Sequence, residues 1–247
     1  MRLVHDTMLI FIRSVRPTLH RPSLILIGIS QPLLYLVLFG PLLGKVGGGD
    51  SWQWYVPGIM IQMALFGTAY AGFGLIPEIR SGALERLRVT PVSRTALLLG
   101  RVLRDVALLL VQSALLAAVA TAFGFRTSVG RLLLGLILLA VLGTAVASAS
   151  YALALRLRQE YAFAPVLSLT VLPAMLLSGV LLPMTLAPRW LYLVSRVNPL
   201  SHVVDGERAI VAGEWATTAT WLGPLMAVAL LAAATYWGTR TFRNESH

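Results

Sequence analysis

Six stretches of roughly twenty apolar residues, each without charge through its middle, constrain this chain more than anything else in it. They run over Leu24–Leu43, Trp54–Ile76, Val106–Phe125, Leu132–Leu155, Tyr161–Leu182 and Thr217–Gly238. A bilayer core about 30 Å thick takes about 20 helical residues to cross. Hydrocarbon offers no water to an unpaired backbone, so each stretch is expected to be a helix. The fold expected is an all-α membrane protein with six transmembrane helices.

Composition agrees. Hydrophobic residues make up 57% of the chain and charged residues 12%, against about 25% in soluble domains. The net charge of +10 lies in the segments beside the spans, which points to membrane topology and not to nucleic acid. Lys45 is the sole lysine, and every other basic residue is arginine. No cysteine is present, which excludes disulfides, thiolate metal sites and cysteine catalysis. Arg13 and Arg16 interrupt the early apolar run, so no secretory signal is expected there.

Six spans put both termini on one side. Fourteen arginines fall on that side: Arg2, Arg13, Arg16, Arg21, Arg80, Arg86, Arg88, Arg94, Arg101, Arg104, Arg156, Arg158, Arg240 and Arg243. The opposite side holds six basic residues: Lys45, Arg126, Arg131, Arg189, Arg196 and Arg208. Basic loops stay in the cytoplasm, so the termini are expected inside. Trp52, Trp54 and Tyr55 at the entry to the second span, and Trp215, Trp221, Tyr236 and Trp237 around the sixth, suit an interfacial aromatic belt.

The segments between the spans carry their own patterns. Residues 1–22 read as an amphipathic interface helix, with Val4, Met8, Phe11, Ile12, Val15 and Leu19 on one side and Arg2, Asp6, Arg13, Arg16 and His20 on the other. Pro17 is expected to bend or restart it. Residues 77–94 alternate Glu78, Arg80, Glu85, Arg86, Arg88 and Arg94 with Ile79, Ala83, Leu84 and Leu87 at helical spacing. That predicts a short cytoplasmic amphipathic helix, capped by Ser81 and closed by Pro91. The third helix is expected to begin near Thr95 and reach Gly124, so that Arg101, Arg104 and Asp105 project into the cytoplasm. Residues 183–216 are divided by Pro183, Pro188 and Pro199, and Arg189, Arg196, Asp205, Glu207 and Arg208 make a full crossing costly. Short re-entrant helices in the outer leaflet are expected instead.

No catalytic constellation appears. His5, His20, His202 and His247 are scattered. Gly40-Pro-Leu-Leu-Gly44-Lys45-Val46 fails as a phosphate loop, because three residues separate the glycines and valine stands where Ser or Thr is needed. With Lys45 excluded, no Walker-type lysine remains. Inside the spans the polar residues are neutral, among them Gln31, Gln62, Thr68, Tyr70, Gln112, Ser113, Thr144, Ser148, Ser150, Ser168 and Thr170. That disfavours the alternative, an ion-coupled secondary transporter or channel, which places acidic groups in its spans.

Two segments carry a resemblance. Glu78-Ile-Arg-Ser-Gly-Ala-Leu-Glu-Arg-Leu-Arg-Val-Thr-Pro-Val-Ser-Arg94 with Leu99-Gly-Arg101, and Leu177-Ser-Gly-Val-Leu-Leu-Pro183 with Trp190 and Asn198-Pro-Leu-Ser-His-Val-Val-Asp205, resemble the permease subunits of type-2 ABC transporters, especially daunorubicin-resistance-type exporters. Ala83 replaces the usual threonine, and Gly206-Glu207 replaces a more apolar pair. The resemblance implies a six-span transmembrane domain over residues 23–247 in a bacterial cytoplasmic (inner) membrane. It also implies export of an amphiphilic drug, lipid or lipid-linked molecule. A separate ABC ATPase in two copies would bind the ATP and Mg, and this chain would bind no cofactor. A second permease, identical or homologous, would complete the assembly among membrane lipids. The first cytoplasmic loop would be the coupling helix, with Glu78, Arg80, Ser81, Gly82, Leu84, Glu85, Arg86, Leu87 and Arg88 meeting the ATPase. Gln31, Tyr35, Gln62, Phe66 and Tyr70 are expected to line the substrate path. Gln62, Phe66 and Tyr70 step by four along one helix face, and Gln31-Pro32 and Pro173 break the smooth surface of their spans.

Overall fold

The computed structural model describes residues 2–19, 22–47, 51–81, 94–157 and 159–244. Among these the chain is helical, with no strand. α1 is Arg2–Leu19, α2 Pro22–Gly47, α3 Ser51–Ala69 and α4 Ile76–Arg80; α5 is Arg94–Thr121, α6 Val129–Leu157 and α7 Glu160–Leu176. α8 is Arg189–Val197, α9 Pro199–Ala212 and α10 Thr218–Asn244. Short 3-10 turns cover Ala71–Leu75 and Met184–Leu186. Five helical segments are long and apolar enough to cross a membrane, in α2, α3 with its continuation to Arg80, α5, α6 and α10. The fifth apolar stretch forms a helix of 17 residues that stops at Leu176, short of the expected Leu182. Gly179, at φ +76°, and Pro183 turn the chain away there.

α3 and α6 form the centre. α6 packs against α3, α5, α9 and α10, and α3 also meets α2, α5 and α9. Lipid tails are as apolar as leucine, so close packing holds such helices together, and small residues permit it. A Cβ at Gly143 of α6 would meet Leu109 of α5 at 2.7 Å. A Cβ at Gly206 of α9 would stand 2.7 Å from Gly223 Cα of α10, so these two backbones nearly touch. Most of α3 between Tyr55 and Leu65 is buried, whereas α2 exposes Leu26, Ile27, Leu34, Leu38 and Leu42.

The second apolar stretch departs from one continuous helix. α3 ends at Ala69, and the chain tightens into the 3-10 turn before α4. Ser150 of α6 repairs the break: its Oγ donates to Ala69 O and accepts from the Gly72 N–H at 2.9 Å. Glycine is required at 72, because a Cβ would lie 2.4 Å from Ser150 O. α1 is continuous through Pro17 and packs along α5, where Ile10 and Thr7 meet Gly100. Thr7 is buried, whereas Met8 and Ile12 of the expected apolar side remain exposed. The segment resembling a phosphate loop is helical as far as Gly47.

Candidate functional site

A cleft of about 450 Å³ opens between α2, α3 and α5. That volume lies within the range of small-molecule sites, about 300–1,000 Å³. Four of the five residues expected on the path line it: Gln31, Gln62, Phe66 and Tyr70. Tyr35 stands one turn away, where its hydroxyl accepts from Gln31 Nε2 at 3.1 Å. Phe66 and Tyr70 stack, their centroids 6.5 Å apart and planes 10° off parallel. Tyr70 falls just beyond the end of α3, so the helix break also aims this ring. α7, with Pro173, takes no part in the lining; Asp105, Leu108, Leu109 and Gln112 of α5 form that wall.

The cleft has an apolar body with amides set into it. Met63, Leu108 and Leu109 supply the surface, and Gln31, Gln62 and Gln112 supply the polar groups. Gln62 is buried, and its Oε1 has no hydrogen-bond partner. A buried acceptor of this kind is costly until a donor reaches it. Gln112 Nε2 donates to Ile25 O at 3.4 Å and fills the space over Gly28, where a Cβ would collide at 2.1 Å. Such a surface can hold an amphiphile by contact and exchangeable hydrogen bonds.

Asp105 closes one end of the cleft and is not free in solvent. Its Oδ2 accepts from the Tyr151 hydroxyl at 2.5 Å, and its Oδ1 accepts from Arg104 Nε at 2.9 Å and Nη2 at 2.7 Å. Arg101 likewise turns inward: both its Nη atoms donate to the Glu78 carboxylate, the shorter at 2.5 Å. The pair ties α4, where the charged loop begins, to α5. Of the coupling residues, Glu78, Arg80 and Ser81 are described, whereas Gly82, Leu84, Glu85, Arg86, Leu87 and Arg88 lie outside the described residues. Ser81 bounds the end of α4, where its Oγ donates to Glu78 O at 3.2 Å; the helix it is expected to cap lies outside the described residues.

The opposite end is capped by α8 and α9, short helices in the segment where such pieces were expected. Asn198 Oδ1 accepts from Leu200 N and caps α9, Pro199 occupies its first turn, and Asn198 Nδ2 donates to Ala174 O at 2.6 Å, fastening α9 to α7. Gly213, at φ +84°, ends the helix. Arg208 lies 3.8 Å over the Trp54 ring and donates to Trp54 O, Gly179 O and Val180 O at 2.9–3.1 Å. One guanidinium thus joins α9, the start of α3 and the turn after α7. Arg196 pairs with Asp205 at 2.7 Å. In the sequence Glu207 counted as one of the charges that make a full crossing costly, yet its side chain is fully enclosed. The single sequence signal was its departure from an apolar pair.

The sequence over residues 5–212 matches the family described as ABC-2 type transporter. The chain is similar to the daunorubicin resistance ABC transporter permease protein DrrB1 of Streptomyces coeruleorubidus, 26% identical over 235 residues, covering 92% of this chain and 82% of the relative. It is similar to the putative transport permease ycf38 of Pyropia yezoensis, 28% identical over 83% of this chain and 74% of the relative. The probable doxorubicin resistance ABC transporter permease protein DrrC of Mycobacterium tuberculosis (strain ATCC 25618 / H37Rv) is 28% identical over 75% of this chain and 69% of its own length. With spanning helices throughout and a family match over most of its length, the chain is a multi-pass membrane protein that belongs to the ABC-2 type transporter family.

Proposed function

We propose that this chain is the permease subunit of an ATP-driven exporter, carrying an amphiphilic drug, lipid or lipid-linked molecule out across a bacterial cytoplasmic membrane with both termini inside. A separate ATPase binds ATP and Mg, and two permeases, identical or homologous, form the route. α7, though short, serves as a sixth span, its crossing completed by the turn after Leu176. The cleft between α2, α3 and α5 carries this reading, because it joins Gln31, Gln62, Phe66 and Tyr70 on one surface of ligand size.

Force enters at the other end of the same helices. The ATPase moves the loop after Ser81, and Glu78–Arg101 passes that motion into α5, which is a wall of the cleft. Two arrangements of α5 against α3 would expose the cleft to one leaflet or the other, and nucleotide would bias them. The chain lacks cysteine, so single cysteines test the route cleanly. In the Phe66→Cys protein, a transported amphiphile should protect the thiol from a maleimide, with no protection at Leu186→Cys on the exposed 3-10 turn. Labelling of Phe66→Cys that is unaffected by saturating, actively transported substrate would remove the cleft from the route.

A further inference from the structure

Glu207 differs from every other acidic residue described. Its side chain is enclosed where α9 crosses α6, and neither carboxylate oxygen has a hydrogen-bond partner. Gly135 makes the space: a Cβ there would stand 2.5 Å from Glu207 Oε1 and 3.3 Å from Val211 Cγ2. An ionised carboxylate in such a place has lost its water with nothing in return.

The surrounding charges are engaged elsewhere. On α9 itself, Asp205 pairs with Arg196 of α8, Arg208 donates to backbone carbonyls, and His202 Nε2 bonds to Arg196 O. α3 brings no Asp, Glu, Lys, Arg or His, and its Tyr55 hydroxyl donates to Tyr35 O. α10 meets α9 near Gly223, whereas its basic residues, Arg240 and Arg243, lie at its far end. α8 also bears Arg189, exposed at its start, and Arg126 is exposed before α6. On α6, Arg156 lies in the last turn, far from Gly135, whereas Arg131 stands four positions before Gly135 and so on the same helix face. Its Nη1 donates to Ala212 O at 3.0 Å, and its guanidinium lies against Gly213, at the C-terminus of α9.

We propose that Glu207 is a proton-binding site that latches α9 onto α6. With the proton bound, the neutral carboxyl rests against Gly135 while Arg131 caps α9. When the proton leaves to solvent, the carboxylate turns one helical turn along α6 to Arg131 and draws that guanidinium off Ala212 O. Both changes loosen α9, the helix that fastens the outer end of α3 through Arg208. The latch is a property of this chain's α6–α9 crossing and stands apart from what the cleft carries.

α9 is not one of the spanning helices, and burial pushes the Glu207 carboxyl up to about 8. The unfolded chain ionises near 4.5. Between those values the folded state holds a proton that the unfolded state has lost, so stability falls as pH rises through that window and levels off above it.

Infrared titration and hydrogen exchange of the full chain in detergent test the latch. The wild-type protein should show a protonated-carboxyl band at pH 6 that disappears through about pH 8 and is absent from Glu207→Gln. Corrected for intrinsic rates, exchange of residues 199–212 should be several-fold faster at pH 9 than at pH 6. In Glu207→Gln and Glu207→Leu it should stay slow at both. Arg131→Gln should raise the midpoint of the band, since the carboxylate loses its partner. A wild-type protein with no such band at pH 6, or one whose pH response survives in Glu207→Gln, overturns the latch whatever the other variants do.

Discussion

Arg208 and Gln62 show how single side chains set the two ends of the molecule. Arg208 donates three hydrogen bonds to carbonyls from two other segments. A buried bond to a charged donor contributes about 1.5–3 kcal/mol, and several carbonyls lose their donor at once. Arg208→Ala should therefore lower stability by roughly 3 kcal/mol or more, read as a clear fall in Tm in detergent, with Trp54 fluorescence changing in parallel. Gln62 belongs to the cleft, where its orphaned oxygen awaits a donor. Gln62→Leu combined with Tyr70→Phe should shift preference among exported amphiphiles and leave the assembled complex intact. Unchanged export of several substrates, or loss of the complex, would assign both residues to packing. Gln62 and Tyr70 were legible as a face because a four-residue step is local. Gln112 was not: its place on the cleft depends on Gly28 of another helix, 84 positions away.

Among the elements, α4 and the adjoining ends of α5 and α6 link the charged loop to the bundle. The Glu78–Arg101 pair leaves Glu78 partly exposed, so it contributes only about 0–1 kcal/mol to stability. Its role should appear in coupling. Glu78→Arg and Arg101→Glu should each cut transport while hydrolysis by the partner continues, and the swapped double variant should recover much of it. Charge reversal at Glu85 with Arg88 should uncouple in the same way. Normal transport by that variant would make the loop a plain connector. The staple at the α3 break is different. Ser150→Ala leaves the Gly72 N–H without its acceptor, and the expected loss of about 1–3 kcal/mol should appear as a lower Tm. Uninterrupted apolar sequence from Trp54 to Ile76 gave no sign of that break, because a hydroxyl on α6 stabilises it. The run from Tyr161 similarly concealed the early end of α7, although Gly179 and Pro183 marked the turn. Asn198-Pro199 and Gly213, by contrast, bound α9 through local backbone rules that can be read directly.

At the scale of the whole molecule, long charge-free runs specify spans because the solvent itself enforces them. The burial of Glu207 and the inward turn of Asp105 come from helix crossings, which hydropathy does not encode. In the function proposed, this bundle moves its substrate only when a separate ATPase drives it. Co-reconstitution in proteoliposomes tests that most directly, with amphiphile transport and phosphate release followed together. The rigorously purified chain alone should neither hydrolyse ATP nor transport. Addition of its ATPase should give ATP-dependent transport that Arg101→Glu reduces more than it reduces hydrolysis. Transport by the chain alone under an ion gradient, or ATP hydrolysis without the second subunit, would mean that no separate ATPase is needed to drive the bundle.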